Sequence, residues 1–466
     1  MFQLILEWIR KVINRMIGKN TVKQALGVNI DISSDMLTAL ETWSRMYENK
    51  SPWLAKDIHS LNLAAAIAGE ISRAVTIEMA VEFEGSARAS WLEEQFTKVL
   101  DRMREMVEKG SAKGGLMMKP WIDGENLVID YVQADQFYPI NFDSNGNITS
   151  CVFVDQRKVG DKFYTRLELH QMTDEGCVIR NVAYKSTNRD TLGTEVPLSM
   201  IDDWAELEPE ATITGIDRPL FAYFKYPLAN NIDATSPLGV SCYSRAVDLI
   251  QDADLQWSNF LWEFESGQRA LYVDMLAFGK NADGDPVLPN KRLYRTIDAG
   301  GQEDALFKEW SPTLRQEDLL DGLDAILKRI ELTCGLAYGT LSDPNIEVKT
   351  ATEIKISKQR TYATIVDTQK ALQDALEQLI WAMDVWATIG KLAPQGGFQT
   401  AFTFDDSVLV DQDAQFQQDL RLVGQGIMSK VEFRMRNFKE TEVVAKQKIL
   451  EAQAEIVPEP MFGGEA

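Results

Sequence analysis

Apolar residues recur at helical spacing over the first 19 positions, at Phe2, Leu4, Ile5, Trp8, Ile9, Val12, Ile13, Met16 and Ile17, with Arg10, Lys11, Arg15 and Lys19 on or beside the other face. The pattern predicts an amphipathic basic helix within an N-terminal segment 1–30, packed on its own assembly or lying on a membrane surface. Glu7 and Arg10 interrupt any signal-peptide core. No other stretch approaches the ~20 apolar residues of a spanning helix.

Residues 33 to 109 read as helical: Leu61, Leu63, Ala64, Ile67, Ala68, Ile71 and Ala74 form one stripe, and Leu92, Phe96, Val99, Leu100, Met103 and Met106 another. Gly110, Gly114 and Gly115 are its stop signals. From 116 to 232 the period changes to two. Phe163, Thr165, Leu167 and Leu169 alternate with Tyr164, Arg166, Glu168 and His170, which predicts a strand with one wet face and a solvated His170. Asn145-Gly146 and Glu175-Gly176 sit between apolar runs as hairpin turns. The block is an antiparallel β region.

Helix returns after Thr235 or Ser236 as cap and Pro237 as first helical residue, running to about Gly267. Roughly 30 residues give about 45 Å. Residues 268 to 310 form a small α/β insert: Arg269 to Leu276 is strand-like, Asp283-Gly284 is a turn, and Val287 to Ile297 returns as a strand. A second long helix starts at Ser311-Pro312, buries Leu319, Leu320, Leu323, Ile326, Leu327 and Ile330, and stops at Gly335. A loop follows over 336–349. Thr350 and Glu353 then make a capping box for a helix of about 40 residues ending near Gly390. A short strand, Phe398 to Phe404, precedes three helical stretches at 412–424, 429–436 and 440–455.

Composition narrows the chemistry. The chain has 466 residues and a net charge of −22, with 45% hydrophobic and 25% charged residues, which describes a folded protein of about three domains or one large elongated unit. Cys151, Cys177, Cys242 and Cys334 show no CxxC spacing, which points to a reducing compartment. Two histidines, His59 and His170, exclude His-rich metal sites. The acidic balance argues against gripping nucleic acid by charge neutralisation. There is no GxGxxG after a strand, no Walker-A loop and no GxSxG elbow. Pairs such as Asp202-Asp203 and Asp405-Asp406 are expected by chance among 70 acidic residues, and Asn281, Asp283 and Asp285 lack the Glu that completes a calcium loop. We therefore expect no catalytic residues, no metal and no cofactor.

Two basic clusters remain. Lys291, Arg292 and Arg295 lie in the 268–310 insert, either as a solvated strand face or as a contact for DNA or an acidic partner. Lys349, Lys355, Lys358 and Arg360 surround the start of the long helix, where an exposed face explains them as well as DNA does.

The order of parts resembles the portal proteins of tailed bacteriophages, in the siphovirus-type branch of Gram-positive phages and prophages. The most specific run is Tyr226-Pro-Leu-Ala-Asn-Asn-Ile-Asp-Ala-Thr-Ser-Pro-Leu-Gly239; others are Gly114-Gly-Leu-Met-Met-Lys-Pro120, Asp135-Gln-Phe-Tyr-Pro139, Leu167-Glu-Leu-His170, Cys334-Gly-Leu-Ala-Tyr-Gly-Thr-Leu-Ser342, Lys349-Thr-Ala-Thr-Glu353, Phe404-Asp-Asp-Ser407 and Gly426-Ile-Met-Ser429. The resemblance implies an α+β portal fold, with helical stem and crown, a mixed α/β wing and a small α/β clip. On this sequence the wing would be 31–235, the stem helices 236–267 and 312–335, and the clip 268–311. The tunnel loop would be 336–349, the long wing helix and strand 350–404, and the crown and tail 405–466.

It also implies a homo-oligomeric ring, a dodecamer, at one capsid vertex, with double-stranded DNA passing through. Its partners would be the terminase large subunit, a head-completion adaptor, and the major capsid and scaffolding proteins. Thr340, Ser342, Asp343, Asn345, Glu347 and Lys349 of the tunnel loop would face the channel, and Lys291, Arg292 and Arg295 of the clip would meet a partner or DNA. Two other readings stay open on sequence: a portal-like ring in a DNA-free phage-derived particle, and a peripheral membrane scaffold.

Overall fold

The computed structural model describes residues 19–30, 32–77, 79–274, 294–297, 307–343, 351–404, 412–438 and 440–455. The N-terminal segment up to residue 18, the Asp283-Gly284 turn, the Asn281–Asp285 run, and the sequence-predicted residues Lys291, Arg292, Asn345, Glu347 and Lys349 lie outside them.

In chain order the elements are α1 (Lys19–Leu26), α2 (Ser34–Tyr47), α3 (Leu63–Thr76), β1 (Met79–Gly85), α4 (Ala87–Lys113), β2 (Gly115–Asp123), β3 (Asn126–Gln133), β4 (Phe137–Phe142), β5 (Ile148–Val159), β6 (Lys162–Thr173), β7 (Gly176–Ser186), β8 (Thr194–Val196), β9 (Glu210–Thr214) and β10 (Ala222–Lys225). Then come α5 (Val247–Ser266), β11 (Ala270–Asp274), β12 (Tyr294–Ile297), β13 (Phe307–Trp310), α6 (Gln316–Cys334), α7 (Ala351–Ile389), β14 (Phe398–Phe404), α8 (Gln412–Gly424), α9 (Lys430–Phe438) and α10 (Glu442–Glu455). The fold is α+β. Contacts divide it into residues 1–402 and 403–466.

The larger unit is built on an antiparallel sheet in the order β4-β5-β6-β7-β8, with β9 also pairing β7, and on a three-stranded sheet β10-β2-β3. Its turns fall at Asn145-Gly146 and Glu175-Gly176 as the sequence predicts, with both glycines at positive φ. The apolar stripes of α3 and α4 pack together, and α7 packs on β10, β2 and α3. Ile67, Leu92, Leu376, Leu379 and Met383 are fully buried there. In the smaller unit Phe416, Phe433 and Phe438 form a cluster of mutual ring contacts, and Asp419, 2% exposed, pairs with Arg436 and accepts from Asn437.

Several expectations need correction. Helix does not fill 33–109: residues 48–62 are irregular, and Met79, Val81 and Phe83 alternate along strand β1, with the Phe83 ring 5.6 Å from Phe96. Gly110 does not stop α4. It is there because a Cβ would meet Phe224 at 2.8 Å; the stop is Gly114, in the left-handed region at φ 85°.

Strand β6 has no wet face. Glu168 is 8% exposed and His170 2%, because the β2–β3 hairpin brings Lys119 over them. Glu168 accepts from Lys119 Nζ at 2.5 Å and from Arg166 at 3.1 Å, and His170 Nε2 lies 2.7 Å from its other oxygen. Burial pushes the Glu168 carboxyl up, but Lys119, His170 and Arg166 outweigh it and hold it well below the usual range. Burial pushes His170 down, toward its neutral form.

The first long helix starts ten residues late, at Val247, after a single 3₁₀ turn at Ser244–Ala246. It therefore spans about 30 Å rather than 45 Å. The segment before it spends its amides on side-chain turns. Asn230 Oδ1 accepts from Ile232 and Asp233, Asp233 Oδ1 from Thr235, and Ser241 Oγ from Tyr243. It also docks by its backbone: Tyr226 N donates to Gly114 O at 3.1 Å, Cys242 N to Ser111 O at 2.9 Å, and Gly239 N to the Tyr223 hydroxyl at 3.0 Å. A Cβ on Gly239 would sit 2.0 Å from Gly114 O, and one on Gly114 2.5 Å from Gly239 O. Two of the runs that carry the family resemblance thus meet glycine to glycine. The second helix likewise begins at Gln316, four residues after Pro312, and ends as expected at Gly335, φ 75°.

Candidate functional site

Helices α5 and α6 form an antiparallel hairpin. Gln256 Nε2 donates to Leu319 O at 3.1 Å, and nearer the end of the hairpin that the connecting segment closes, Glu263 clasps Arg315. Glu263 Oε1 accepts from the Arg315 amide at 3.1 Å and Nε at 3.2 Å, and Oε2 accepts from Nη2 at 2.8 Å. These bonds hold the Glu263 carboxyl below its usual range.

At that end sits the sheet β12-β11-β13, with β11–β12 parallel (Tyr272 opposite Arg295) and β11–β13 antiparallel (Leu271 opposite Glu309). Arg295 therefore lies in a paired strand of this sheet. The hairpin leaves apolar surface uncovered: Trp262 is 61% exposed, and Leu255, Phe264 and Leu320 are exposed too. Along α5 Trp257 stacks on Phe260 at 5.2 Å, and Phe260 meets Phe264 edge to face at 4.9 Å.

At the other end of α6 the chain turns through Gly335 into the predicted tunnel loop. The left-handed glycine is required because a Cβ would meet Thr364 Oγ1 of α7 at 2.4 Å. Two carboxylates of α6, seven residues apart and so on one helical face, then hold the loop. Glu331, fully buried, accepts from Leu341 N at 2.6 Å, Ser342 N at 2.9 Å and Ser342 Oγ at 2.9 Å. Asp324 Oδ1 accepts from Asp343 N at 2.9 Å while its other oxygen meets Lys328 at 3.0 Å. The Arg360 guanidinium lies 5.8 Å over the Tyr338 ring.

Of the residues predicted to face a channel, Thr340 and Asp343 are exposed, with Thr340 Oγ1 donating to Ala337 O at 2.6 Å. Ser342 is 4% exposed and anchors the loop by its Glu331 bonds. Sequence reading missed Glu331 and Asp324. The available signal was an acidic residue beside each of Leu323 and Ile330, on the buried stripe of an otherwise amphipathic helix. Among the described residues no group of His, Cys, Asp or Glu is placed to hold a metal, and no helix is long and apolar enough to cross a membrane.

A family model described as "Phage portal protein, SPP1 Gp6-like" matches residues 30–459. The chain belongs to the phage portal protein family. Portal proteins are structural components of phage particles, not enzymes. One solved structure that the portal chain resembles is described as "Neck of native GTA particle computed with C12 symmetry". It is 14% identical with a TM-score of 0.45, covering 91% of this chain and 98% of that one. Comparison with curated proteins gives no match.

Proposed function

We propose that the chain assembles into a closed homo-oligomeric ring, a dodecamer, at one capsid vertex, where double-stranded DNA enters during packaging and leaves during ejection. The observation that carries the reading is the family match over 30–459. The antiparallel hairpin supports it: apolar side chains left open on α5 and α6 need a covering, and a neighbouring copy supplies one. We assign α5 and α6 to the stem, the β11–β13 region to the clip, residues 336–349 to the tunnel loop, residues 31–235 and 350–404 to the wing, and residues from 405 to the crown and tail.

The clip is proposed to meet the terminase large subunit and then the head-completion adaptor, with Lys291, Arg292 and Arg295 among its contacts. Major capsid and scaffolding proteins surround the ring. In the tunnel loop the anchored base leaves Thr340 and Asp343, with Asn345, Glu347 and Lys349 beyond, for the channel; Ser342 serves as the anchor. The chain's −22 charge, repeated around a ring, disfavours phosphate adhesion and lets DNA slide.

The test is deletion of 268–310 with both helices retained. Rings with the parental subunit number, at the mass of the shortened chains by mass photometry, and particles without packaged DNA are expected. Normal packaging by such rings refutes the clip assignment, and a monodisperse monomer of the intact chain across salt and concentration refutes the ring.

A further inference from the structure

A cleft of about 1110 Å³ opens in the larger unit. Its floor is one face of the β5-β6-β7 sheet: Asp155, Arg166, Glu168, His170 and Asn181 all point to it. The β2–β3 hairpin forms one wall, and the segment around Trp204 another. Acidic residues outnumber Lys and Arg about two to one along its lining. The cations on the floor are already matched: Lys119 and Arg166 to Glu168, and Arg157 to Asp203. Asp202, Glu206 and Glu208 at the rim are exposed and form no ion pair among the described residues. The negative charge is thus left over at the rim, where an incoming cation would meet it.

A second observation is independent of charge. His170, 2% exposed, donates from Nε2 to Glu168, so the neutral ring keeps Nδ1 as a bare acceptor without a partner. Asp135 Oδ1 is a second unmet acceptor; Trp121 Nε1 and Trp386 Nε1 are unmet donors. All four residues line the cleft. Buried polar atoms left without partners are destabilising until something pairs with them. An anion or a metal would answer only one of the two kinds. A polypeptide brings a donor and an acceptor with every residue, and the volume exceeds what a drug-sized ligand fills.

We propose that this cleft is a docking site for a basic polypeptide segment, and that the segment is residues 1–18 of a neighbouring copy in the ring. In a chain of charge −22, these residues carry Arg10, Lys11 and Arg15 against Glu7 alone, with Phe2 and Trp8 to meet the aromatic lining. The neighbour is favoured over the same chain by where α1 is held. Arg180 Nη2 donates to Leu26 O at 2.5 Å. Arg180 alternates along β7 with Ile179 and Asn181, which line the cleft, so α1 is tied to the opposite face of that strand. The proposal rests on the ring reading, since it needs a second copy.

The test uses the full chain with a benzophenone amino acid in place of Trp8. Photocrosslinking is done in rings reassembled from a mixture of ¹⁴N and ¹⁵N chains, after mass photometry. Crosslinks joining light to heavy chains, from residue 8 to peptides covering 119–131 or 202–208, are expected. The Asp202→Lys, Glu206→Lys, Glu208→Lys triple variant should form rings yet lose crosslink yield by about tenfold. Crosslinks confined within one isotope overturn the choice of a neighbour. Rings that crosslink elsewhere or not at all, or an undiminished yield in the triple variant, overturn the cleft as the site. A chain that stays monomeric fails at the ring reading instead, which mass photometry reports separately.

Discussion

Glu168 and Glu331 show how much two buried carboxylates can hold. Glu168 neutralises Lys119, which is 4% exposed, and orders His170 and Arg166 around it. Glu168→Ala would leave the buried ammonium with only the more distant and more exposed Asp130, 3.5 Å away, and we expect a loss of about 3 kcal/mol, read from the urea midpoint. His170 adds a pH dependence of known sign. Its folded pKa is depressed below the ordinary 6.5, so below that value the unfolded chain takes up the proton first. Its contribution is full above pH ~6.5 and falls as pH drops toward the folded value. Stability measured from pH 7 to 5 should decline in the parent, and the decline should be shallower in His170→Gln. An equal slope in both would remove His170 as its source. In the sequence these two residues read as a wet strand face, since Glu and His alternate with leucines. What buries them is a hairpin more than thirty residues earlier, and no local pattern carries that information.

At the scale of elements, helix type and order were legible wherever periodicity was long: the α3 and α4 stripes, the 39-residue α7 and the three C-terminal helices all fall where predicted to within a few residues. The failures are at starts. Thr235, Ser236 and Pro237 make a plausible helix entry, but side-chain turns and the Gly114–Gly239 contact hold that segment out of helix until Val247. Likewise residues 336–349 read as a polar, open loop, while Leu341, Ser342 and Asp343 are tied to α6. Glu331→Ala removes the acceptor for three donors, at a cost on the order of 3 kcal/mol. Amide exchange at Leu341 and Ser342 should accelerate strongly in this variant, while amides in the middle of α7 exchange as before. Unchanged exchange at 341 and 342 would mean that Glu331 does not hold the loop.

For the whole molecule the proposed channel rests on the family resemblance alone, because a channel built from neighbouring copies would show only one share of its wall in a single chain. Asp343 is the exposed acidic residue next to the anchored base. Replacing Asp343 and Glu347 with Lys should make passing DNA adhere. Packaged DNA length per particle should fall, and more so at low salt, where phosphate attraction is least screened. Rings of the double variant that package at parental rate and length would take the loop out of the mechanism.

The glycine seam between Gly114 and Gly239 has a mechanical consequence. With no side chain between the two backbones, and with Cys242 and Tyr226 bonded to either side of it, the end of α4 and the approach to α5 behave as one rigid joint. A torque applied to the α5–α6 hairpin has no compliant layer there in which to dissipate. It is passed to α4, and from there to strands β2 and β3, which pack on that helix.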